Sequence, residues 1–457
     1  MTNAVPDTGV AIDSAINPAW TNRAQAQAVA RAAVETPDVL VIGGGAAGTT
    51  AATPLARKGW RVTLLEKGRH PRFHIGESLL PMNMPILERL GVLEQVRAIG
   101  VLKLVADFPN DDGHYNVFSF KRALNAKSDF AFHVKREEFD QMLFEHAREG
   151  VHVDQIAFAD DGAITVQAGA QRYQPRYLLD ASGRDAFIGS KLGIKRRNAR
   201  HASAAVFSHF RSVRRRECAD AGNTSIYRHG HGWAWLIPLR DDVISAGAVC
   251  FPDYLKQRKG ETEAFLLRTL ESVPEIAQRM QGAERVAPVH VTGNYACEYT
   301  RMHGRHWSLL GDAYAFVDPM FSSGVFLAMH SAELGANMVD AALRQPAREP
   351  RLQRAFEKCF NRGLGEFKWF IYRFTSPTMK HLFANPKDVL QVESAVVSML
   401  AGNVFDSRPV LHRLRLFRAI YALTALGMAP AAFRGWLRRR RQVRVQVQGD
   451  TLQPGNP

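Results

Sequence analysis

The chain has 457 residues, of which 46% are hydrophobic and 23% are charged, and its formal net charge is +15. This composition is typical of globular proteins and excludes a disordered, collagen-like or coiled-coil chain; the length predicts two or three domains or one interleaved α/β body. The cysteines lie too far apart for a zinc ribbon or a CxxC redox pair and are too few for a disulfide framework. We therefore expect no metal site and a cytoplasmic location.

The first 36 residues lack the charged start and apolar run of a secretory signal, so we expect them to form a mobile extension. Elsewhere the chain has no apolar stretch as long as the roughly 18 residues that a membrane-spanning helix needs. No transmembrane span is predicted, and the first domain should begin near residue 37.

A nucleotide-binding pattern follows the extension. Residues 38–42 (DVLVI) predict a buried parallel strand, the glycine-rich GGGAAG comes next, and an alanine-rich helix then leads to a second strand, 61–66 (RVTLLE). Small residues let the backbone approach a pyrophosphate at a helix N-terminus, and the acid that ends the second strand can accept from ribose hydroxyls. The predicted dinucleotide-binding residues are Gly43, Gly45, Ala46, Ala47, Gly48, Glu66 and Lys67.

Three later segments resemble those of the FAD-dependent aromatic hydroxylases. Residues 133–143 look like the helix that follows the first sheet excursion, with Arg136 facing the cofactor, and residues 177–184 (YLLDASGR) look like the strand that returns to the nucleotide sheet. Residues 307–312 (WSLLGD) end in Gly311 and Asp312, and the resemblance implies that Asp312 binds the ribityl chain. The expected dinucleotide is therefore FAD.

Three further motifs narrow the family. Residues 233–238 (WAWLIP) match WxWxIP, residues 316–324 (FVDPMFSSG) match FxxPxxSxG, and residues 73–81 (FHIGESLLP) are similar to a GES segment. With these motifs, the chain from residue 37 to about residue 345 resembles the flavin-dependent halogenases. Taken alone, the two tryptophans are also explained as core aromatics on one strand face, since residues i and i+2 point the same way.

The resemblance implies that FADH2 from a separate flavin reductase, O2 and a chloride or bromide co-substrate give hypohalous acid, which Lys103 directs to the aromatic substrate. It implies a flavin contact for Pro319, a flavin and halide contact for Gly324, a halide contact for Ser323 and a catalytic role for Ser322. The segment that separates flavin from substrate would contain Trp233, Trp235, Ile237 and Pro238. The alternative for Lys103 is a surface lysine at the start of a strand.

Phe321 stands where the tryptophan-halogenating branch has Glu, so the resemblance is to the branch that acts on phenols and pyrroles, some attached to carrier proteins. Because of this difference, the residue that would act as general base is not identified. The competing prediction is an FAD-dependent monooxygenase or hydroxylase, or a polyene-type reductase.

We predict an α/β fold in which a Rossmann-like FAD-binding core, 37–345, is interleaved with a mixed-sheet substrate subdomain at about 104–175 and 200–295. Residues 346–457 should form a helical region. Residues 407–449 contain ten arginines and no acidic residue, which indicates a solvated helix face, an acidic carrier protein as partner, or peripheral contact with an anionic membrane. Nothing resembles a nucleic-acid-binding module, and no nucleic acid partner is expected.

Overall fold

The computed structural model describes residues 34–110, 113–144, 152–197, 203–258, 260–293, 297–430 and 433–437. Its nucleotide-binding sheet has four parallel strands and an antiparallel edge strand, in the order His303–Gly304, Trp307–Leu309, Tyr177–Asp180, Val39–Ile42 and Val62–Leu65. These strands are apolar because both faces of a parallel sheet are covered. The carboxyl ends of the parallel strands therefore meet at one edge.

A larger, mostly antiparallel sheet stands beside this edge. Its strands follow the order Glu284–Arg285, Ala204–Arg211, Ile244–Cys250, Gly232–Pro238, Thr224–His229, Val105–Pro109 and Tyr115–Ser119, with His290–Gly293 also paired to Ala204–Arg211. Its residues alternate between two cores. Trp233, Trp235 and Ile237 pack into the main core, whereas Ala234 and Leu236 pack into a second core under the helices of residues 252–279.

Three smaller sheets complete the strands. One contains Val34–Glu35, Gln171–Tyr173, Ile164–Ala168 and Gln155–Phe158; a second contains Lys195–Arg197, Cys297–Tyr299 and Ala315–Phe316; the third pairs Val101–Lys103 with Ala131–His133. Within the predicted interval 104–175, only the strands up to residue 119 join the larger sheet. The strands between residues 155 and 173 instead pair with one another, and the last of them, Gln171–Tyr173, pairs with Val34–Glu35, which lies inside the predicted extension; residues 1–33 are outside the described residues.

The helices cover both sheets. They are Ala46–Arg57, Met84–Leu90, Leu93–Ile99, Arg136–Leu143, Phe187–Lys191, Pro252–Leu255, Thr262–Glu271, Pro274–Arg279, Ser323–Arg344, Glu349–Ile371, Pro377–Ala384, Val392–Leu400 and Arg408–Gly427. Short 3-10 turns are Pro81–Asn83, Phe120–Arg122, Gly183–Asp185, Cys218–Asp220, Gly311–Ala313, Pro319–Phe321, Pro346–Arg348 and Val389–Gln391. None of the helices in the described part of the chain has the length and apolar composition needed to cross a bilayer.

Candidate active site

A cavity of about 620 Å³ opens where the parallel strands end. Its wall runs from the glycine-rich turn after Val39–Ile42, past the acid after Val62–Leu65, to the tryptophan strand and the start of helix Ser323–Arg344. The edge of a parallel sheet where strands end is where doubly wound folds bind nucleotides. The predicted residues that lie in the wall are Gly43, Gly45, Ala46, Ala47, Glu66, Lys67, Arg136, Trp233, Trp235, Ile237, Asp312, Pro319, Ser322 and Gly324.

Five predicted residues lie outside this wall. Gly48 packs helix Ala46–Arg57 against the turn, because a Cβ there would lie 1.8 Å from the Gly43 carbonyl oxygen. Gly311 has a positive φ of 53° and packs on Ala328. The others are Ser323, Pro238 and Lys103, which are all buried.

The glycine-rich turn has one position that is open to a ligand. A Cβ on Gly43 would lie 2.4 Å from the Ala181 carbonyl oxygen, and its φ of +100° already requires glycine. A Cβ on Gly45, by contrast, would meet no protein atom within 4 Å. Gly45 begins helix Ala46–Arg57 without a side-chain cap, so the backbone N–H groups of the first turn remain available to a phosphate.

Glu66 is fixed against this turn. One carboxylate oxygen accepts from the Gly44 N–H at 2.7 Å and the other from the Gly68 N–H at 2.8 Å, while Arg72 lies 3.5 Å away. Glu66 is only 4% exposed, and that remainder faces the cavity. Its neighbour Lys67 is exposed and forms an ion pair with Asp185.

The middle of the cavity carries opposite charges. Arg136 donates to both carboxylate oxygens of Asp140, one turn further along its helix, at 3.0 Å, and to the Ile75 carbonyl oxygen at 2.8 Å. On the facing side, burial raises the pKa of Asp312 to about 6, although the positive charges of Arg184 and Arg136 act in the opposite direction. A carboxyl group at this point can hydrogen-bond to ligand hydroxyls in either protonation state.

The far end is closed by the tryptophan strand and a helix N-terminus. The rings of Trp233 and Trp235 pack at a tilt of 44° with 5.6 Å between their centroids, and the Trp235 indole N–H donates to Ser245 Oγ at 3.2 Å. Ser322 adopts a left-handed φ of 54° before helix Ser323–Arg344 and, with Gly324, forms part of the wall. Phe321 points away and packs edge-on against Phe374 at 5.5 Å.

Lys103 is 2% exposed, so the alternative of a surface lysine is wrong. Its strand pairs with Ala131–His133, and the other side of Ala131–His133 carries the GES segment through a Ser78–His133 bridge. Nζ therefore lies 2.9 Å from Ser78 Oγ and 3.1 Å from the Leu79 carbonyl oxygen, to which it donates, and 5.3 Å from the Phe120 ring centre. Burial lowers the pKa of Lys103 to about 7.

Ser78 connects Lys103 to the cavity, and sequence reasoning did not select it as a site residue. Ser78 and Thr224 lie in the cavity wall, their hydroxyl oxygens are 3.4 Å apart, and Thr224 Oγ1 lies 3.3 Å from His133 Nε2. Burial, with the charge of Lys103, lowers the pKa of His133 well below its usual value. In the sequence, the position of Ser78 within the GES segment could have indicated a role at the site. No motif indicated such a role for Thr224 or His133.

The cavity fits FAD. It offers an open glycine position with uncapped helix N–H groups at one end, the Glu66 carboxylate beside it, hydrogen-bonding and charged groups in the middle, and aromatic rings at the other end. These are the groups that a pyrophosphate, a ribose, a ribityl chain and a flavin ring require.

Comparison with known proteins agrees with this geometry. Residues 36–363 match the FAD binding domain family. A tryptophan 2-halogenase from Chondromyces crocatus is 32% identical over 342 residues, covering 70% of this chain and 64% of the relative's length. A 1H-pyrrole-2-carbonyl-(peptidyl-carrier protein) brominase from Pseudoalteromonas luteoviolacea is 32% identical over 327 residues, covering 67% of this chain and 78% of the relative.

Among solved structures, a flavoprotein/dehydrogenase from Cytophaga hutchinsonii superposes with a TM-score of 0.78 at 26% identity, covering 86% of this chain and 100% of that structure. This similarity shows the same fold in a protein named for a different activity. The halogenase relatives, the matched domain and the motifs at the cavity agree on the family. The chain belongs to the flavin-dependent halogenases, built on an FAD-binding domain.

Proposed function

We propose that this chain halogenates an electron-rich aromatic ring, such as a phenol or a pyrrole, at Lys103 and not in the cavity itself. Reduced FAD in the cavity, supplied by a separate flavin reductase, provides the electrons with which O2 and chloride or bromide give hypohalous acid and water. The uncapped start of helix Ser323–Arg344 offers backbone N–H groups to the halide at the wall formed by Ser322 and Gly324.

One observation carries the proposal: Lys103 is buried outside the cavity wall, and its hydrogen-bond partner Ser78 is in the wall. Trp233, Trp235 and Ile237 present one continuous face to the cavity, which excludes a substrate ring from the flavin end. The site that makes the oxidant and the site that uses it would then be separated by about one residue layer. A small neutral molecule such as hypohalous acid could pass Ser78, whereas an aromatic ring could not.

The surroundings of Lys103 make a neutral amine available near neutral pH. A neutral amine has two N–H bonds and one lone pair, and Nζ donates to two acceptors, Ser78 Oγ and the Leu79 carbonyl oxygen. No carboxylate of the described residues forms an ion pair with Nζ, and burial brings its pKa to about 7. The lone pair can therefore attack the halogen, forming an N–halogen bond and releasing water; the ring carbon then takes the halogen, loses its proton and regenerates the amine.

Two observations bear on the substrate. Phe321 contributes no carboxylate, which suits a ring that is already electron-rich, since such a ring needs less help in losing its proton. The Pseudoalteromonas relative is named for a pyrrole held on a peptidyl carrier protein. For this chain we propose as substrate an aryl group on an acidic carrier protein or a free aromatic molecule. The reaction would take place in the cytoplasm.

The test is product analysis by mass spectrometry. The chain is incubated with FAD, a flavin reductase, NADH, bromide or chloride, and a panel of phenols, pyrroles and carrier-bound pyrroles. A halogenated product that requires both the halide and the reductase supports the proposal. A hydroxylated product, or fast saturable reduction of the bound flavin by NADH without the reductase, would instead support the monooxygenase or reductase alternative.

A further inference from the structure

The C-terminal region exposes large apolar side chains to an unusual degree. Among the described residues, every large hydrophobic side chain that is more than half exposed lies after residue 388: Val389 at 65%, Leu390 at 70%, Leu423 at 70%, Leu426 at 72%, Phe433 at 59% and Trp436 at 51%. Isolated exposed apolar residues are ordinary, but a group of this size marks a contact surface. Leu390 lines a shallow pocket with Leu416 of helix Arg408–Gly427. We call Leu390, Leu416, Leu423, Leu426, Phe433 and Trp436 the C-terminal apolar surface.

The apolar surface is distinct from the side of its helix that packs into the protein core. Helix Arg408–Gly427 already buries one face, where Val410, Leu414 and Phe417 pack into the core. Leu416, Leu423 and Leu426 lie on its opposite side, since residues seven apart fall almost in line on a helix. Phe433 and Trp436 continue the apolar character beyond the helix, with their rings stacked at 5.9 Å.

The segment that carries this surface is rich in cationic residues. Arg408, Arg415 and Arg434 are exposed, and residues 407–449 contain ten arginines without one acidic residue. A second copy of this chain would bring two such cationic faces together, which the charge disfavours. The occupant must therefore be anionic and must also accept protruding leucine, phenylalanine and tryptophan side chains.

We propose that the C-terminal apolar surface docks peripherally on an anionic lipid bilayer. Helices that lie in the membrane interface have a typical composition: leucine, phenylalanine and tryptophan on one face, and arginine around that face. Their arginines contact lipid phosphates. An acidic protein would satisfy the arginines, but it would leave the six protruding apolar side chains without the broad apolar medium that a bilayer supplies.

The helix that carries the surface is connected through one further helix to the strand that follows Lys103. Helix Pro377–Ala384 packs against helix Arg408–Gly427, and its Phe383 contacts Phe108 on the strand that follows Lys103 at 5.3 Å between ring centroids. The proposal does not depend on the halogenation chemistry, since vesicle binding is measured without turnover.

The test is co-sedimentation of the full-length, FAD-loaded protein with vesicles of phosphatidylcholine alone or of phosphatidylcholine with phosphatidylglycerol. We expect binding to the anionic vesicles only, weakened by salt. The double variant Leu423→Gln/Leu426→Gln should lose about tenfold or more of the bound fraction, and Trp436→Ser should show a smaller loss. The matched control is Val286→Gln, which replaces an exposed valine directly after the edge strand Glu284–Arg285 and should bind like wild type.

Three outcomes would overturn the proposal: no sedimentation with anionic vesicles, equal sedimentation of the double variant, or a dimer in light scattering that the double variant abolishes. Tight, salt-sensitive binding to an acidic carrier protein, lost in the double variant while vesicles are ignored, would assign the surface to a protein partner instead. Flavin absorbance and the unfolding midpoint of each variant show that the fold is intact.

Discussion

Lys103 Nζ donates a 2.9 Å hydrogen bond to Ser78 Oγ, and only the serine of this pair lies in the cavity wall. The hydroxyl therefore stands between the flavin cavity and the amine. Both residues flank the same short strand, Ala131–His133, so the distance between them is set by backbone pairing and not by flexible loops.

Replacing Ser78 by Ala should uncouple the two sites. The variant keeps its backbone bridge to His133 but loses the acceptor that orients Nζ, so halogenated product per flavin oxidised should fall by about tenfold, the effect of one hydrogen bond to a reacting group. Ser78→Thr, which retains a hydroxyl, is the matched control. Product yield unchanged in the Ala variant would show that Ser78 does not position Lys103.

Lys103→Met should abolish halogenated product while flavin oxidation in the presence of O2 continues. Methionine keeps most of the buried stem and removes only the amine, so the loss is chemical and not a failure of packing. Product is measured by mass spectrometry and oxidation by flavin absorbance. Halogenation within a few fold of wild type would remove Lys103 from the catalytic machinery.

The yield of product per flavin oxidised should rise with pH through a midpoint near 7. Burial lowers the pKa of Lys103 to about 7, so above that pH the amine is neutral and has a lone pair available for the halogen. Yields are compared over a series of buffers with flavin oxidation measured in parallel. A yield that falls as pH rises would assign catalysis to the ammonium form.

The lowered pKa of Lys103 also predicts how the free energy of unfolding changes with pH. The pKa of Lys103 is about 7 when folded and near 10.5 when unfolded, so between these values the unfolded chain holds more protons and folding gains stability as pH rises. The free energy of unfolding of wild type, relative to Lys103→Met, should be lowest below pH 7 and increase toward pH 10.5. Denaturant titrations of both proteins measure this difference; a difference independent of pH would contradict the depressed pKa.

Two glycines two residues apart should respond differently to substitution. Gly45→Val adds side-chain atoms to open space, so we expect a normal unfolding midpoint and FAD affinity lowered by about a hundredfold or more. Gly43→Ala meets a backbone carbonyl at 2.4 Å in a left-handed conformation and should destabilise the fold by about 2 kcal/mol or more. Flavin titration and thermal unfolding separate the two effects. Undiminished FAD affinity in Gly45→Val would place the nucleotide elsewhere.

The nucleotide-binding part of the fold was predictable because its signals are local. Strand, glycine turn, helix and acid follow one another within 30 residues, and the structure brings Gly45 and Glu66 to the same cavity wall as the spacing predicts. The alternation that puts Trp233, Trp235 and Ile237 on one face is local too; Pro238 falls on the other side because the same period of two turns it away.

What the sequence did not reveal depends on contacts between distant segments. Ser78 and Thr224 are 146 residues apart, and their meeting requires the larger sheet to pack against the GES segment. The pattern of residues 155–173 does not specify a partner strand; these strands pair with one another and, through Gln171–Tyr173, with Val34–Glu35, outside the larger sheet. Ser323 lies within the predicted motif but is buried next to Ser322, whose left-handed conformation no residue-type pattern indicated.

The strand Ala131–His133 links the strand of Lys103 to the edge of the cavity. On one side it pairs with the strand of Lys103. On the other side its Phe132 carbonyl accepts from the Leu79 N–H, and the N–H of the next residue after the strand, Val134, donates to the Glu77 carbonyl, so three segments form a single narrow ribbon. Gly76, Glu77 and Ser78 at one edge of this ribbon line the cavity. Because these segments are joined by backbone hydrogen bonds, we expect a ligand that orders this edge of the cavity to hold the strand of Lys103 in place as well.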